Sequence, residues 1–173
     1  NGENYYAGPA DPYDLTELTS KATNKQTFQP SRWQVLNISA GGMALRKFPN
    51  AEVNLRVGEL LSVKNGAANH WSVGVLRWAN NNEQQQLDVG AQLIAPEAQA
   101  VGARLGDQAK FEPALLLPGL AALKQDASIV AACGTYSPAR VMELDEAGKI
   151  SRVMITRLVE RTGSFERFTF SYL

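Results

Sequence analysis

From Phe28 onward the chain alternates in polarity. "RWQVLNI" sets aromatic and branched residues against polar ones with a period of two, and "MALRKF" resumes the alternation after a Gly-Gly break. "LLSVKN" follows a Val57-Gly58-Glu59 turn as a third strand. Trp71 to Trp78 and Leu87 to Ile94 then read as the arms of a hairpin across the polar "ANNNEQQQ". Short strands separated by turn signals at this spacing predict a small antiparallel barrel or sandwich over 27–95.

The flanks read differently. Residues 1–26 open with "NGENYYAGPADP", whose Gly, Pro and Asn predict a loose tail, followed by a short helix from Tyr13 to Asn24 with Leu15 and Leu18 as its buried contacts. Residues 96–110 predict a linker or second short helix, with Pro96 early where a first helical turn tolerates it. From 111 to 173 a second β unit follows, with strands in "ASIVAACG" and on both sides of a "DEAGK" turn. Its last segment, "SFERFTFSYL", puts Glu166, Phe168, Phe170 and Tyr172 on an apolar face and Phe165, Arg167, Thr169 and Ser171 on the other. The expected fold is thus mainly β: a small antiparallel β-barrel, a second β unit, and one or two short helices.

At 173 residues the chain has room for one large core or two small ones. Its 17 basic and 17 acidic residues cancel, which argues against binding long nucleic acid through bulk charge. A small anion needs only a few placed cations, so that class stays open. With one cysteine, Cys133, and one histidine, His70, no disulfide can form within the chain and a Cys/His zinc site is disfavoured. No run reaches the roughly 18 apolar residues of a membrane-spanning helix; "PALLLPGLAAL" is interrupted by Pro118 and Gly119. The chain starts at Asn1 without methionine or secretion signal, so it reads as part of a longer protein, with a cytoplasmic setting as the default.

Catalytic chemistry is poorly supplied, and the chain is not expected to be an enzyme or to hold a cofactor. Ser39 lies outside any Gly-x-Ser-x-Gly elbow and has only His70 as a base. Cys133 sits in apolar "IVAACG" and reads as a buried structural thiol, while His70 reads as a solvated loop residue. Asp145 and Glu146 are neighbours in a turn, and "AGK" lacks the rest of a phosphate-binding loop. What remains is the polar step Asn37-x-Ser39-x-x-Gly42 between two apolar runs. It has two readings. Either Asn37 and Ser39 form a side-chain-capped turn with Gly41 and Gly42 at positive φ, or the step presents side chains to a ligand.

The ordered segments "WQVLNISAGGMAL", "VGELLSV", "WSVGVLRW" and "DVGAQLI", spread over residues 28–95, resemble a PilZ domain. That resemblance implies a six-stranded β-barrel whose (Asp/Asn)-x-Ser-x-x-Gly motif binds cyclic di-GMP. Asn37 and Ser39 would meet a guanine edge, Gly41 and Gly42 would let backbone pass close to the ligand, and an arginine would grip phosphate or stack on a base. The family's Arg-x-x-x-Arg motif, upstream of the Asn step, has no match, because no arginine precedes Arg32. Lys21 and Lys25 reproduce the spacing without the planar fork of arginine. Arg32, Arg46 and Arg77 are the substitutes, Arg77 the best placed of them. The candidate ligand-binding residues are therefore Asn37, Ser39, Gly41, Gly42, Arg32 and Arg77. Two functions follow: a cyclic di-GMP receptor module that changes contacts with a protein partner, or a degenerate PilZ barrel that binds no nucleotide and acts in protein interaction. Receptors of the flagellar-brake type pair a PilZ barrel with a preceding β-barrel; here the companion would follow.

Overall fold

A computed structural model describes residues 4–9, 30–49, 54–65, 70–106 and 108–173. The strands fall into two barrels. The first contains β1 (Asn4–Pro9), β2 (Ser31–Ser39), β3 (Gly42–Lys47), β4 (Leu60–Asn65), β5 (Ser72–Asn81) and β6 (Leu87–Ala95). Their cyclic order is β1-β2-β3-β6-β5-β4, and antiparallel pairing of β4 with β1 closes the barrel. Trp33, Leu45, Leu61, Val63, Leu76 and Val89 form its buried centre, and the Trp33 indole N–H is satisfied by Ser31 Oγ at 2.8 Å.

The expected tail is corrected here. Residues 4–9 form a strand whose Tyr5 pairs with Trp33 on one side and Asn65 on the other. Gly, Pro and Asn argue for a loop locally. Two open sheet edges, those of β2 and β4, nonetheless make a paired strand the better solution. The helix expected at 13–24, with Lys21 and Lys25, lies outside the described residues.

The second barrel contains β7 (Gln99–Leu105), β8 (Glu112–Leu117), β9 (Ser128–Ala131), β10 (Val141–Glu146), β11 (Lys149–Arg161) and β12 (Glu166–Tyr172), with a 3-10 turn at Ala121–Leu123. The cyclic order is β10-β11-β12-β9-β8-β7, closed by β7 against β10. Here too a sequence expectation fails. Within the stretch expected as a linker or helix, 96–110, residues 99–105 form β7, so the second unit begins before residue 111. Val101, Ala103 and Leu105 alternate into the core beside Ile129, Met142, Leu144 and Phe168. Alanine and glutamine are good helix formers, but a buried ladder on both edges outweighs tenths of a kcal/mol of propensity.

The "DEAGK" turn is a two-residue hairpin. Ala147 and Gly148 both take left-handed backbone (φ 55° and 92°), matching strand twist, and the Gly148 N–H donates to Asp145 Oδ1 at 2.6 Å. Cys133, expected to be buried, is exposed beyond the end of β9; its apolar neighbours belong to the strand, and the chain has already turned outward. Among the described residues no helix is long and apolar enough to cross a membrane.

Candidate functional site

Two irregularities in the first barrel decide what its outer wall presents. On β2, Val35 pairs with Leu45 but Asn37 with Ala44, so Leu36 is an extra residue. That bulge shifts the alternation. Val35 faces the core, and Asn37 and Ser39 face outward with Ala44 and Gly42. On β5 the register shifts between Leu76 and Trp78, making Arg77 extra and bringing Arg77 and Trp78 to the same wall.

Across the barrel surface Asn37, Ala44, Gly90 and Trp78 form one row, and Ser39, Gly42 and Gln92 the next. Small residues in the middle and large ones at either end leave a cavity of about 240 Å³. Its floor is Gly42, Ala44 and Gly90, its polar rim Asn37, Ser39 and Gly41, and its far side Arg77, Trp78 and Gln92.

The glycines are steric requirements. A Cβ on Gly90 would stand 1.9 Å from Trp78 Nε1, so the indole lies directly over bare backbone. A Cβ on Gly42 would meet the Ala91 carbonyl oxygen at 2.4 Å. Neither Gly41 nor Gly42 adopts left-handed backbone, which corrects the positive-φ expectation for the turn: close strand approach is what Gly42 provides.

Polar contacts orient the rim. Arg77 Nε donates to Gln92 Oε1 at 2.8 Å, which holds the guanidinium beside the cavity. Ser39 Oγ reaches the Gly42 carbonyl at 3.3 Å. One row further, Arg46 is committed to Asp88 through two hydrogen bonds of 2.7 and 2.8 Å. That bidentate pair holds the Asp88 carboxyl below its ordinary range and the Arg46 guanidinium above its own. Arg46 is therefore already matched in charge and lies outside the lining.

Of the six residues expected from sequence, Asn37, Ser39, Gly41, Gly42 and Arg77 line this one cavity. Arg32 does not: it stands five positions before Asn37 on β2, roughly 16 Å away at the rise of a strand. Trp78 enters the sequence reading of the site only as part of the "GVLRW" segment expected to line it, and Gly90, Ala44 and Gln92 are not named there. The available signal was a glycine in "DVGAQ" facing an aromatic in "VLRWA", a pairing typical where bare backbone needs cover. His70 is exposed, and no group of three His, Cys, Asp or Glu side chains among the described residues is arranged to hold a metal.

A closed six-stranded antiparallel barrel with the Asn-x-Ser-x-x-Gly step opening onto its outer wall is a PilZ-type barrel, and a second barrel follows it. A family model described as "Cyclic-di-GMP receptor FimW, middle PilZ domain" matches residues 6–100, and one described as "FimW C-terminal beta-barrel domain" matches residues 97–173. The chain belongs to the FimW family. It is 27% identical over 140 residues to the cyclic-di-GMP receptor FimW of Pseudomonas aeruginosa, covering 79% of this chain but only 23% of that protein. Solved structures give weaker likenesses that establish neither fold nor function. The Bacillus subtilis inhibitor of motility (MotI/DgrA) is 9% identical at a TM-score of 0.33, covering 99% of this chain and 87% of its own. The K. pneumonia MrkH–c-di-GMP complex is 6% identical at 0.34, covering 99% and 79%.

Proposed function

We propose that this chain is a non-enzymatic cyclic di-GMP receptor module, and that the wall cavity of the first barrel receives one guanine of the ligand. One observation carries the reading. Two strand bulges, at Leu36 and Arg77, converge a hydrogen-bonding edge, a cation and an aromatic face on the same cavity. Asn37 and Ser39 supply donors and acceptors for the guanine edge. The partly exposed Trp78 indole supplies a stacking surface, and Arg77 a charge for phosphate. At about 240 Å³ the cavity falls below the roughly 300–1,000 Å³ of a site for a drug-sized molecule. It therefore holds a base, and the cyclic backbone with its second guanine lies along the open wall toward Arg77. Binding alters what this wall offers to a protein partner, in a bacterial, cytoplasmic setting.

A second reading is a barrel that binds no nucleotide and serves protein interaction. The observation in its favour is the absence of any arginine before Arg32, so that Arg77 is the one cation of the cavity lining among the described residues.

Isothermal titration with cyclic di-GMP separates the two. The Asn37→Ala/Ser39→Ala variant should bind roughly thirtyfold more weakly than wild type, at about 1 kcal/mol for each lost hydrogen bond. Both side chains are exposed, so its thermal midpoint should stay unchanged. Absence of heat and of thermal protection for the wild type at millimolar ligand would leave the second reading standing. Gln92→Ala tests how Arg77 is held. Removing the 2.8 Å contact lets the arginine explore other rotamers, and affinity should drop about fivefold, near 1 kcal/mol for one side chain to be re-immobilised. Unchanged affinity in that variant would mean that the Gln92 contact is not what orients Arg77 for the ligand.

A further inference from the structure

The two barrels pair their strands in one pattern. Counted from its own first strand, each joins first to second, second to third, third to sixth, sixth to fifth, fifth to fourth and fourth to first. The agreement continues below topology. In each barrel the fifth strand carries an extra residue opposite the sixth: Arg77 between Leu76 and Trp78, facing Ala91 and Gly90, and Val159 between Leu158 and Glu160, facing Phe168 and Arg167. In each, the first residue of the third strand pairs with the last of the second, Gly42 with Ser39 and Ser128 with Leu117. Those two anchors agree with one another. Gly42 faces Gln92, two residues beyond Gly90, and Ser128 faces Thr169, two beyond Arg167.

With the register fixed, the cavity of the first barrel has a counterpart in the second, and its chemistry is reversed. Leu115 stands where Asn37 does, and Leu117 where Ser39 does. Val130 replaces Ala44, and Arg167 replaces the bare Gly90 of the floor. Val159 takes the place of Arg77, and Glu160 that of Trp78. The interior takes the alternate residues Leu116, Ile129 and Phe168, so Leu115, Leu117 and Val130 belong to the outer wall. Yet all three are buried, at 7%, 2% and 3% exposure.

We infer that the second barrel is the same barrel pattern used again, with its ligand wall overwritten into an apolar packing wall, so that the chain offers a single nucleotide face. No guanine edge or bare floor survives at the second position, and its cation, Arg167, fills the floor and is itself buried. Leucine and valine there gain burial, where Asn37 and Ser39 of the first barrel stay exposed.

The test uses the whole chain and has two arms. The first rests on the nucleotide reading above. In titration with cyclic di-GMP, Arg77→Ala should weaken binding more than about tenfold and leave no second class of site. Val159→Ala and Glu160→Ala should bind like wild type, within about twofold. The second arm stands without that reading. Leu117→Ala and Val130→Ala should each lower the thermal midpoint by more than about 5 °C, the more drastic Leu117→Asn by more still, and Ser39→Ala by less than about 2 °C. A second site surviving in Arg77→Ala, or a loss of affinity above threefold in Val159→Ala, would overturn the single face. A Leu117→Ala midpoint within 2 °C of wild type would overturn the packing wall. If wild type binds no nucleotide, the receptor reading falls, and the melting arm still decides whether the second wall packs.

Discussion

Alanine at Gly42 is expected to cost about 2–3 kcal/mol of stability and to remove nucleotide binding, while alanine at Gly41 should change stability by no more than about 0.5 kcal/mol. The two glycines are adjacent in sequence and opposite in circumstance. A Cβ at Gly41 meets nothing within 4 Å. At Gly42 it meets the Ala91 carbonyl oxygen at 2.4 Å and the Gln92 Cα at 3.3 Å. Those atoms are backbone of β6, the strand to which β3 is bonded through Gly42–Gln92 and Met43–Ala91. No rotamer change can relieve such a clash; the two strands must part, and the ladder and cavity floor part with them. Denaturant unfolding of the two variants decides the matter, with titration of cyclic di-GMP alongside. Equal midpoints would show that β3 and β6 yield at little cost, and the steric account of the motif's last glycine would fail.

How far such features can be read from sequence depends on whether their cause is local. β2, β3, β5 and β6 are legible because apolar and polar residues alternate over most of each, although bulges at Leu36 and Arg77 break the period, and the hairpin loop is legible because the residues between its arms are mostly polar. β1 is not legible: Gly8 and Pro9 signal a turn, and its strand exists because two distant edges need closing. β7 fails for a related reason. Its Gln, Ala and Leu carry no β signal, and pairing with β8 and β10 supplies what propensity lacks.

The candidate site divides in the same way. Asn37, Ser39 and Gly42 are found by their spacing within one segment. Trp78 and Gly90 depend on cross-strand register, and Arg77 reaches the cavity only through a bulge that no residue type announces. Arg32, named as a substitute for the missing arginine pair, stands outside the cavity lining, because five residues of extended strand separate it from Asn37. Glu166 shows the limit of face-by-face reading. It was placed on the apolar side of β12, and it is indeed almost fully buried, a position a carboxylate holds only with partners.

Those partners make Glu166 a pH-sensitive point of the second barrel. Glu166 Oε2 accepts the Tyr136 N–H at 2.7 Å, and Oε1 accepts Arg161 Nε at 2.7 Å. Burial pushes the carboxyl pKa up; the N–H groups of Tyr136 and Gly134 and the charge of Arg161 outweigh it and hold the group below its ordinary 4.5. The folded pKa is therefore depressed relative to the unfolded chain. Ionised Glu166 adds stability in full above about pH 4.5, and that contribution drains away as pH falls through the lower folded value. Glu166→Gln keeps the shape and removes the charge. It should lower stability at pH 7 by about 2 kcal/mol, the range of a hydrogen bond to a charged group, with the half-exposed Arg161 adding little. Glu166→Ala, which also strands the backbone donors of the 134–136 loop, should cost about 3 kcal/mol or more. The gap between wild type and Glu166→Gln should close as melting is repeated from pH 7 down to pH 3, since protonated wild type then presents the same neutral acceptor. A gap that stays constant over that range would mean that the carboxylate is not what fastens the 134–136 loop to β12.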